Sequence, residues 1–539
     1  MTVPSYTEDL TDIASGDEAS GWVELTGTDG AGEDYDVCGA PAYQDNEYPY
    51  IQGSYAVTQD TSKSSAVGSL AYSSGGITVP TDGAVFVWQN YSSPFAFGSY
   101  AQGGFRICIG SGLGDFNIWY VGGNDKESYP YGGWVNHVVN PTITADDTAG
   151  SPTATLDYIG SAVYVVSGPS KGEPHQVDAI RYGRGSAIFE YGETANYATI
   201  AGFAAQNDIQ TNRWGLIQAQ PGGYLWKGRM QLGSASNAVD FRDSNVNIFI
   251  AWTPKVTTNF NTIEILNASS NVEMTGFNFI CLDPSGTASK GRWITTNDAT
   301  IVLTDCSFID MSTFVFDSNT TLSGCLFRRC GQVTQGGADI DGTTFNQCTD
   351  AIALLCDNPD NVDDVTFVSD GTGHAIELTS ACAGNSYTLT NLWVSGYAAS
   401  DGSTGNEVIY NDSGGTVTIN IDGGSGVSNI SVYDVSGSTT VLVANYSFTI
   451  TGLELNTEVT IVTAGTSTEL FHAENATTSD GDGKYQVTYS HSGGSSVDIL
   501  IHHVDYQPDV NNVYGLTLPS SNSSIKVSMF EDLNYENPT

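Results

Sequence analysis

Leu303-Thr-Asp305-Cys306-Ser-Phe308, Leu322-Ser-Gly324-Cys325-Leu-Phe327 and Ile340-Asp-Gly342-Thr-Thr-Phe345 are three copies of one six-residue pattern. Three more flank them: Met274-Thr-Gly276-Phe-Asn-Phe279, Val362-Asp-Asp364-Val-Thr-Phe367 and Leu389-Thr-Asn391-Leu-Trp-Val394. The first position is a large aliphatic residue or Met, and the last is Phe or Val. The third position, Gly276, Asp305, Gly324, Gly342, Asp364 or Asn391, is drawn from the residue types that enter the left-handed αL region at least cost. One αL residue between two short strands bends the chain sharply without making a hairpin. The flanking apolar residues then point inward and stack on their equivalents in the next turn. Successive copies start 29, 19, 18, 22 and 27 residues apart, a period expected of a solenoid. The spacing predicts stacked coils of a right-handed parallel β-helix over residues 270 to 400, with second strands at Phe314-Val-Phe316, Ala351-Ile-Ala-Leu-Leu355 and Ala375-Ile-Glu-Leu378.

The same register organises the cysteines. Seven of the nine fall between Cys281 and Cys382. Cys306 and Cys325 share one motif position, and Cys330 and Cys348 each lie three residues past the motif Phe, so both pairs are expected to stack. Coils about 4.8 Å apart would allow a disulfide by distance. Parallel stacked side chains have the wrong torsion for one, and reduced thiols packing as small hydrophobes are expected. No Cys-x-x-Cys pair or histidine at zinc-ligand spacing accompanies them.

Outside the coils the chain is also strand-like. Val85-Phe-Val-Trp88, Phe105-Arg-Ile-Cys-Ile109, Phe116-Asn-Ile-Trp-Tyr120, Trp134-Val-Asn-His-Val-Val139 and Ala162-Val-Tyr-Val-Val166 are separated by Gly- and Ser-rich turns, the pattern of a jelly-roll sandwich. The run Gly132-Gly-Trp134-Val-Asn-His137-Val-Val resembles concanavalin-like lectin sandwiches. Beyond the coils, Val427–Tyr433, Val441–Val443, Tyr446–Ile450, Glu458–Val462, Tyr485–Tyr489 and Val497–His502 mostly alternate at period two, as in an immunoglobulin-like or transthyretin-like sandwich. The reading is therefore all-β in three parts: 1–235, an N-terminal lectin-like sandwich; 236–425, the β-helix; and 426–539, a C-terminal sandwich.

The composition agrees. Of 539 residues, 40% are hydrophobic and 11% aromatic, enough for several cores, while Gly, Ser, Thr, Asn and Asp dominate over helix formers. Sixty acidic residues stand against 17 basic ones, a formal charge of −43. Such a surface repels phosphate backbones and anionic headgroups, so neither nucleic acid nor membrane insertion is expected; it also keeps a large β-protein dispersed, and suits a marine or halophilic setting. The start, Met1-Thr-Val-Pro-Ser5, has no basic and then apolar stretch, so no secretory signal is read.

Candidate chemistry is sparse. Asp341, Asp363 and Asp364 belong to neighbouring coils, with His374 and Glu377 close behind. Two carboxylates about 5 to 10 Å apart would serve a glycosidase. Asp at corners is equally turn chemistry, and Arg328-Arg329 is the lone adjacent basic pair in the coils. Asp480-Gly-Asp482-Gly and the run Asp357–Asp364 are read as turns rather than calcium loops. Trp119, Tyr120, Tyr129, Tyr131 and Trp134 form an aromatic cluster that would contact a glycan where exposed and build a core where buried. No catalytic residue, cofactor or metal is assigned.

A lectin-like sandwich, a β-helix and a second sandwich, in an acidic chain without an export signal, together resemble a virion surface protein of a tailed bacteriophage or archaeal tailed virus. That resemblance implies a capsid turret or decoration, or a tail fibre or spike. It implies assembly in the host cytoplasm, a homotrimer, contacts with other virion proteins and with a host surface glycan, and no enzymatic activity. The alternative expectation is a carbohydrate-active β-helix enzyme, a polysaccharide hydrolase or lyase.

Overall fold

The computed structural model describes residues 10–531 apart from short stretches, the longer of which are 92–103, 122–133, 166–173, 190–198, 202–216, 283–290 and 399–405. The described chain is all-β: strands joined by turns and by single-turn 3-10 helices such as Pro359–Asn361 and Ser380–Cys382. It divides into two compact units, residues 1–321 with 325–331, and residues 322–324 with 332–539.

The first unit opens with two facing six-stranded antiparallel sheets. One runs Ala42–Asp45, Ala56–Asp60, Pro174–Gly183, Ala84–Tyr91, Val135–Val139, with Leu10–Ala14 also on Pro174–Gly183. The other runs Asp147–Ala149, Asp115–Tyr120, Gly104–Gly112, Leu156–Val165, Ala66–Ile77, Trp22–Val23. Val85, Val87, Ile107, Ile109, Ile159, Val163 and Val177 pack between the sheets. Period-two alternation fails on Gly104–Gly112 because both its faces are covered. Its other face packs Cys108 with Tyr35, Phe116 and Ala162. Arg106 lies on that same face, wholly buried, and pairs with buried Asp29 at 3.1 Å.

Parallel pairing begins upstream of residue 236. Ser186–Phe189 pairs in parallel with Arg229–Leu232, and that strand with Thr262–Ile265 and then Arg292–Thr295. A second stack joins Gly223–Trp226, Asn247–Ile250, Asn278–Cys281, Ser307–Ile309 and Leu326–Arg328. A third joins Asn271–Thr275 to Thr300–Thr304. The in-register partners Phe279, Phe308 and Phe327 stack face to face at 5.4 and 5.0 Å. Each buried ring contributes about 2–3 kcal/mol by leaving water, and each offset pair adds about 0.5–1.5 kcal/mol. These coils lie against the antiparallel sheets within the unit. Phe86 meets Phe260 at 5.8 Å, and Asn140 N donates to Lys255 O at 2.7 Å.

The second unit repeats the arrangement. Val333–Thr334, Ile352–Cys356, His374–Leu378, Ile409–Asn411 and Val432–Asp434 form one parallel stack. Thr344–Asn346, Thr366–Val368 and Trp393–Ser395 form another, with Phe345 on Phe367 at 4.7 Å. The third runs Asp339–Asp341, Val362–Asp363, Ser386–Thr390, Thr416–Asp422 and Thr439–Leu453. The short strands expected at 441–443 and 446–450 are one strand of 15 residues. Asn445, a turn-former by type, stays extended because its backbone pairs with Asp422 in the parallel ladder. The strand's first half pairs in parallel with Thr416–Asp422 up to Asn445, and its second half pairs antiparallel with Tyr485–His491. Parallel pairing thus passes residue 425. A four-stranded sheet, Glu469–Ala473, Glu458–Thr463, Ser496–His502 and Asn512–Thr517, closes this end over Phe448, Ile450, Val459, Ile461, Val497 and Ile499.

Candidate functional site

The motif residues do backbone work. Gly276, Asp305, Gly324, Gly342, Asp364 and Asn391 all hold positive φ, between 51° and 67°. At five of them the N–H reaches the next coil. Gly276 N donates to Thr304 O at 2.9 Å, Gly324 N to Asp341 O at 3.0 Å, Gly342 N to Asp363 O at 3.1 Å, Asp364 N to Thr390 O at 2.9 Å and Asn391 N to Asp422 O at 2.6 Å. Asn245 (φ 58°) and Gly423 (φ 79°) continue the series. Asp243 and Gly426 break the pattern around them, one in place of the first apolar residue and the other in place of the closing Phe. A search on the αL position alone would have found both.

A second corner lies two residues past the motif's end. Asp310, Arg329, Gln347 and Gly396 have φ of 58°, 51°, 53° and 83°. The first two are locked to each other: Arg329 Nε and Nη2 donate to Asp310 Oδ1 and Oδ2 at 2.8 and 2.7 Å. The remaining partner of the basic pair, Arg328, is exposed.

The eight described cysteines are buried and form no disulfide; Cys38 lies outside the described residues. Several thiols donate to a carbonyl one coil back: Cys325 to Leu303 O at 3.4 Å, Cys330 to Phe308 O at 3.1 Å and Cys382 to Cys356 O at 3.5 Å. Cys306 approaches Met274 O at 3.7 Å. A hydrogen bond with Cys325 lowers the Cys306 thiol pKa, whereas burial pushes Cys382 up to about 11. Cys348 is buried as well.

The outward carboxylates of the second unit have defined neighbours. Asp341 and Asp363 are direct partners in a parallel ladder. Burial, then these two charges, raise the pKa of the Asp339 carboxyl. Asp364 Oδ1 accepts from Asn391 Nδ2 at 2.6 Å, Asp357 Oδ1 from Gly337 N at 2.9 Å and Asp360 Oδ1 from Thr388 N at 2.7 Å. In the same way Asp480 closes a turn by accepting from Asp482 N and Lys484 N. His374 Nε2 meets Glu377 Oε2 at 3.0 Å, and the His374 ring stacks on Tyr410 at 4.5 Å, which stacks on Tyr433 at 5.2 Å. Among the described residues no group of three or more His, Cys, Asp or Glu is placed to hold a metal ion. No helix there is long and apolar enough to cross a membrane.

In the antiparallel sheets of the first unit the aromatic candidates separate. Trp134 packs with Ile51, Ala56, Trp88 and Ala179, which commits its ring to that cluster. Tyr120 covers Arg106 at 5.1 Å and its hydroxyl donates to Asp147 Oδ2 at 3.2 Å. Trp119 is buried, its Nε1 donating to Ile143 O at 3.1 Å, and its edge forms part of the floor of an open cleft. Tyr129 and Tyr131 lie outside the described residues.

Between the sheets, Gln89 Nε2 donates to Ser161 Oγ, which shares a 2.8 Å hydrogen bond with His175 Nε2. Burial lowers His175 to about 3. Among the described residues its Nδ1 has no partner, so none of them supplies the orienting carboxylate that a serine nucleophile needs.

No family model matches the chain, and no curated protein matches it. Among solved structures, a xylan-binding CBM22-1 domain from Paenibacillus barcinonensis Xyn10C aligns over 33% of this chain and 97% of its own, at 11% identity and a TM-score of 0.18. The catalytic domain of a GH87 α-1,3-glucanase, in a complex with tetrasaccharides, aligns over 81% of this chain and 99% of its own, at 10% identity and a TM-score of 0.17. Similarity at this level assigns neither an activity nor a ligand.

Proposed function

We propose that this chain is a structural protein of a viral particle surface, a capsid turret or decoration or a tail fibre or spike, which contacts host glycan. In this reading the coils are a right-handed parallel β-helix between a concanavalin-like jelly roll and an immunoglobulin-like or transthyretin-like sandwich, and the molecule is a homotrimer assembled in the host cytoplasm. The observation that carries it is the use made of the repeat. Its αL residues turn corners and bond coil to coil, while its Phe and Cys side chains fill the interior. The repeat is thereby spent on stiffness, as a projection requires. The charge of −43 suits a surface held in solution at high local density. Gold-labelled antibody against the chain should decorate purified particles at their projections; particles that lack the chain would sink the proposal. Sedimentation should give three times the 57.0 kDa chain mass.

A second reading, a polysaccharide hydrolase or lyase, is favoured by the raised Asp339 carboxyl beside Asp341 and Asp363. Two carboxyl groups on one face, one of them with its pKa raised by its surroundings, are the pairing glycosidases use. New reducing or unsaturated ends on incubation with host surface polysaccharide, lost in Asp339→Asn, would establish it and displace the first reading.

A further inference from the structure

The Trp119 cleft lies at one edge of the antiparallel sheets. It has a volume of about 290 Å³, just under the range usual for ligand pockets. Ile77, Leu156 and Pro141 form an apolar wall, Trp119 lies in the floor, and Asn117 and Thr142 supply polar groups. The half-buried Asn117 amide makes no hydrogen bond with the described residues. Thr142 Oγ1 donates to Asn140 Oδ1 at 2.6 Å, which leaves its oxygen able to accept.

Among the described residues no ionisable side chain lines the cleft. Asp157, the residue after Leu156, has its carboxylate beside Gly76 and is not part of the lining. An anionic ligand would find no lining cation to pair with, in a chain already carrying −43, and a cation would find no lining carboxylate. The fitting ligand is neutral, has an apolar face for the wall, and carries paired donors and acceptors for an amide.

We propose that this cleft binds one or two rings of a neutral saccharide, with Asn117 donating and accepting at adjacent ring hydroxyls and the ring C–H face lying against Ile77, Leu156 and Pro141. The proposal deepens the glycan-contact part of the function above and rests on it.

Because Trp119 is a core residue, two surface substitutions carry the test. Ala154→Trp fills the cleft from its exposed rim, and Asn117→Asp replaces the amide by a charge. The probes, titrated by calorimetry against the full chain, are neutral oligosaccharides (cellohexaose, maltohexaose, mannohexaose) and an anionic one (hexagalacturonate), with circular dichroism confirming that each variant is folded. The wild type should bind at least one neutral hexasaccharide. Asn117→Asp should weaken it about tenfold, as for loss of one well-made hydrogen bond, and Ala154→Trp should abolish it. Equal binding by wild type and variants would overturn the cleft while leaving glycan contact intact. Preference for hexagalacturonate, or no binding of any neutral probe, would also overturn the cleft; the place of the chain on the particle is decided separately, by antibody labelling.

Discussion

Asn391 Nδ2 donates to Asp364 Oδ1 at 2.6 Å, and the two residues hold φ of 51° and 52° at the same corner of successive coils. One residue type thus meets two demands, a left-handed backbone and a side-chain rung between coils. Asn391→Ala meets neither and should cost about 2–3 kcal/mol, the sum of the αL penalty and one hydrogen bond. Asn391→Gly keeps the backbone and should cost about 1 kcal/mol. Denaturant midpoints of the two variants check the order; an Ala variant as stable as the Gly variant would remove the corner explanation.

Arg329 is a long side chain in the same left-handed region, held by its two-pronged pair with Asp310. Arg329→Ala loses the pair and keeps the backbone penalty, whereas Arg329→Gly loses the pair and sheds the penalty. The glycine variant should be the more stable by about 1–2 kcal/mol, the reverse of the usual Ala–Gly order. Thermal melts of both would show it.

Arg106 and Asp29 pair in the buried layer behind Gly104–Gly112, and Arg106 also bonds the Tyr35 hydroxyl. Removing one partner strands the other charge, so Arg106→Met should cost about 3–5 kcal/mol. Adding Asn at Asp29 should recover part of that loss. Equilibrium unfolding of the single and double variants measures the recovery.

His175 is neutral in the fold because burial holds its pKa near 3, against about 6.5 in an unfolded chain. The unfolded state therefore binds the extra proton between those values. The contribution is fully present above pH 6.5 and is lost as the pH falls toward 3. Stability of the first unit should fall with acid across that window, and His175→Gln should flatten the slope by up to one proton. An unchanged slope would show that His175 is not the group responsible.

The eight described thiols are buried, and Cys382 is held near 11. Ellman's reagent should leave the native protein almost untouched at pH 8 and find at least eight thiols after denaturation without reductant. Two or fewer would mean that the cysteines are paired.

The coil corners were legible because αL backbone selects among very few residue types. The second corner was not: Arg329 and Gln347 do not belong to those types, and in the case of Arg329 a tertiary partner, Asp310, locks the position. Arg106 was similarly hidden, since an arginine in an apolar strand looks like an exposed alternation until Asp29, 77 residues away, is placed beside it. The cleft is assembled from four separated segments, around residues 77, 117, 141 and 154, and no one of them carries a pattern. The thiol positions followed from the repeat, while their carbonyl partners one coil back depend on coil geometry.

The 15-residue strand Thr439–Leu453 changes partners at its middle without leaving its line. A tether attached to the C-terminal antiparallel sheets would therefore pull on the parallel ladder along one continuous strand. Seven residue pairs, from Thr416–Thr439 to Asp422–Asn445, would be loaded together. Force applied along that strand would meet its hydrogen bonds in shear, so that they resist as a group instead of yielding one after another.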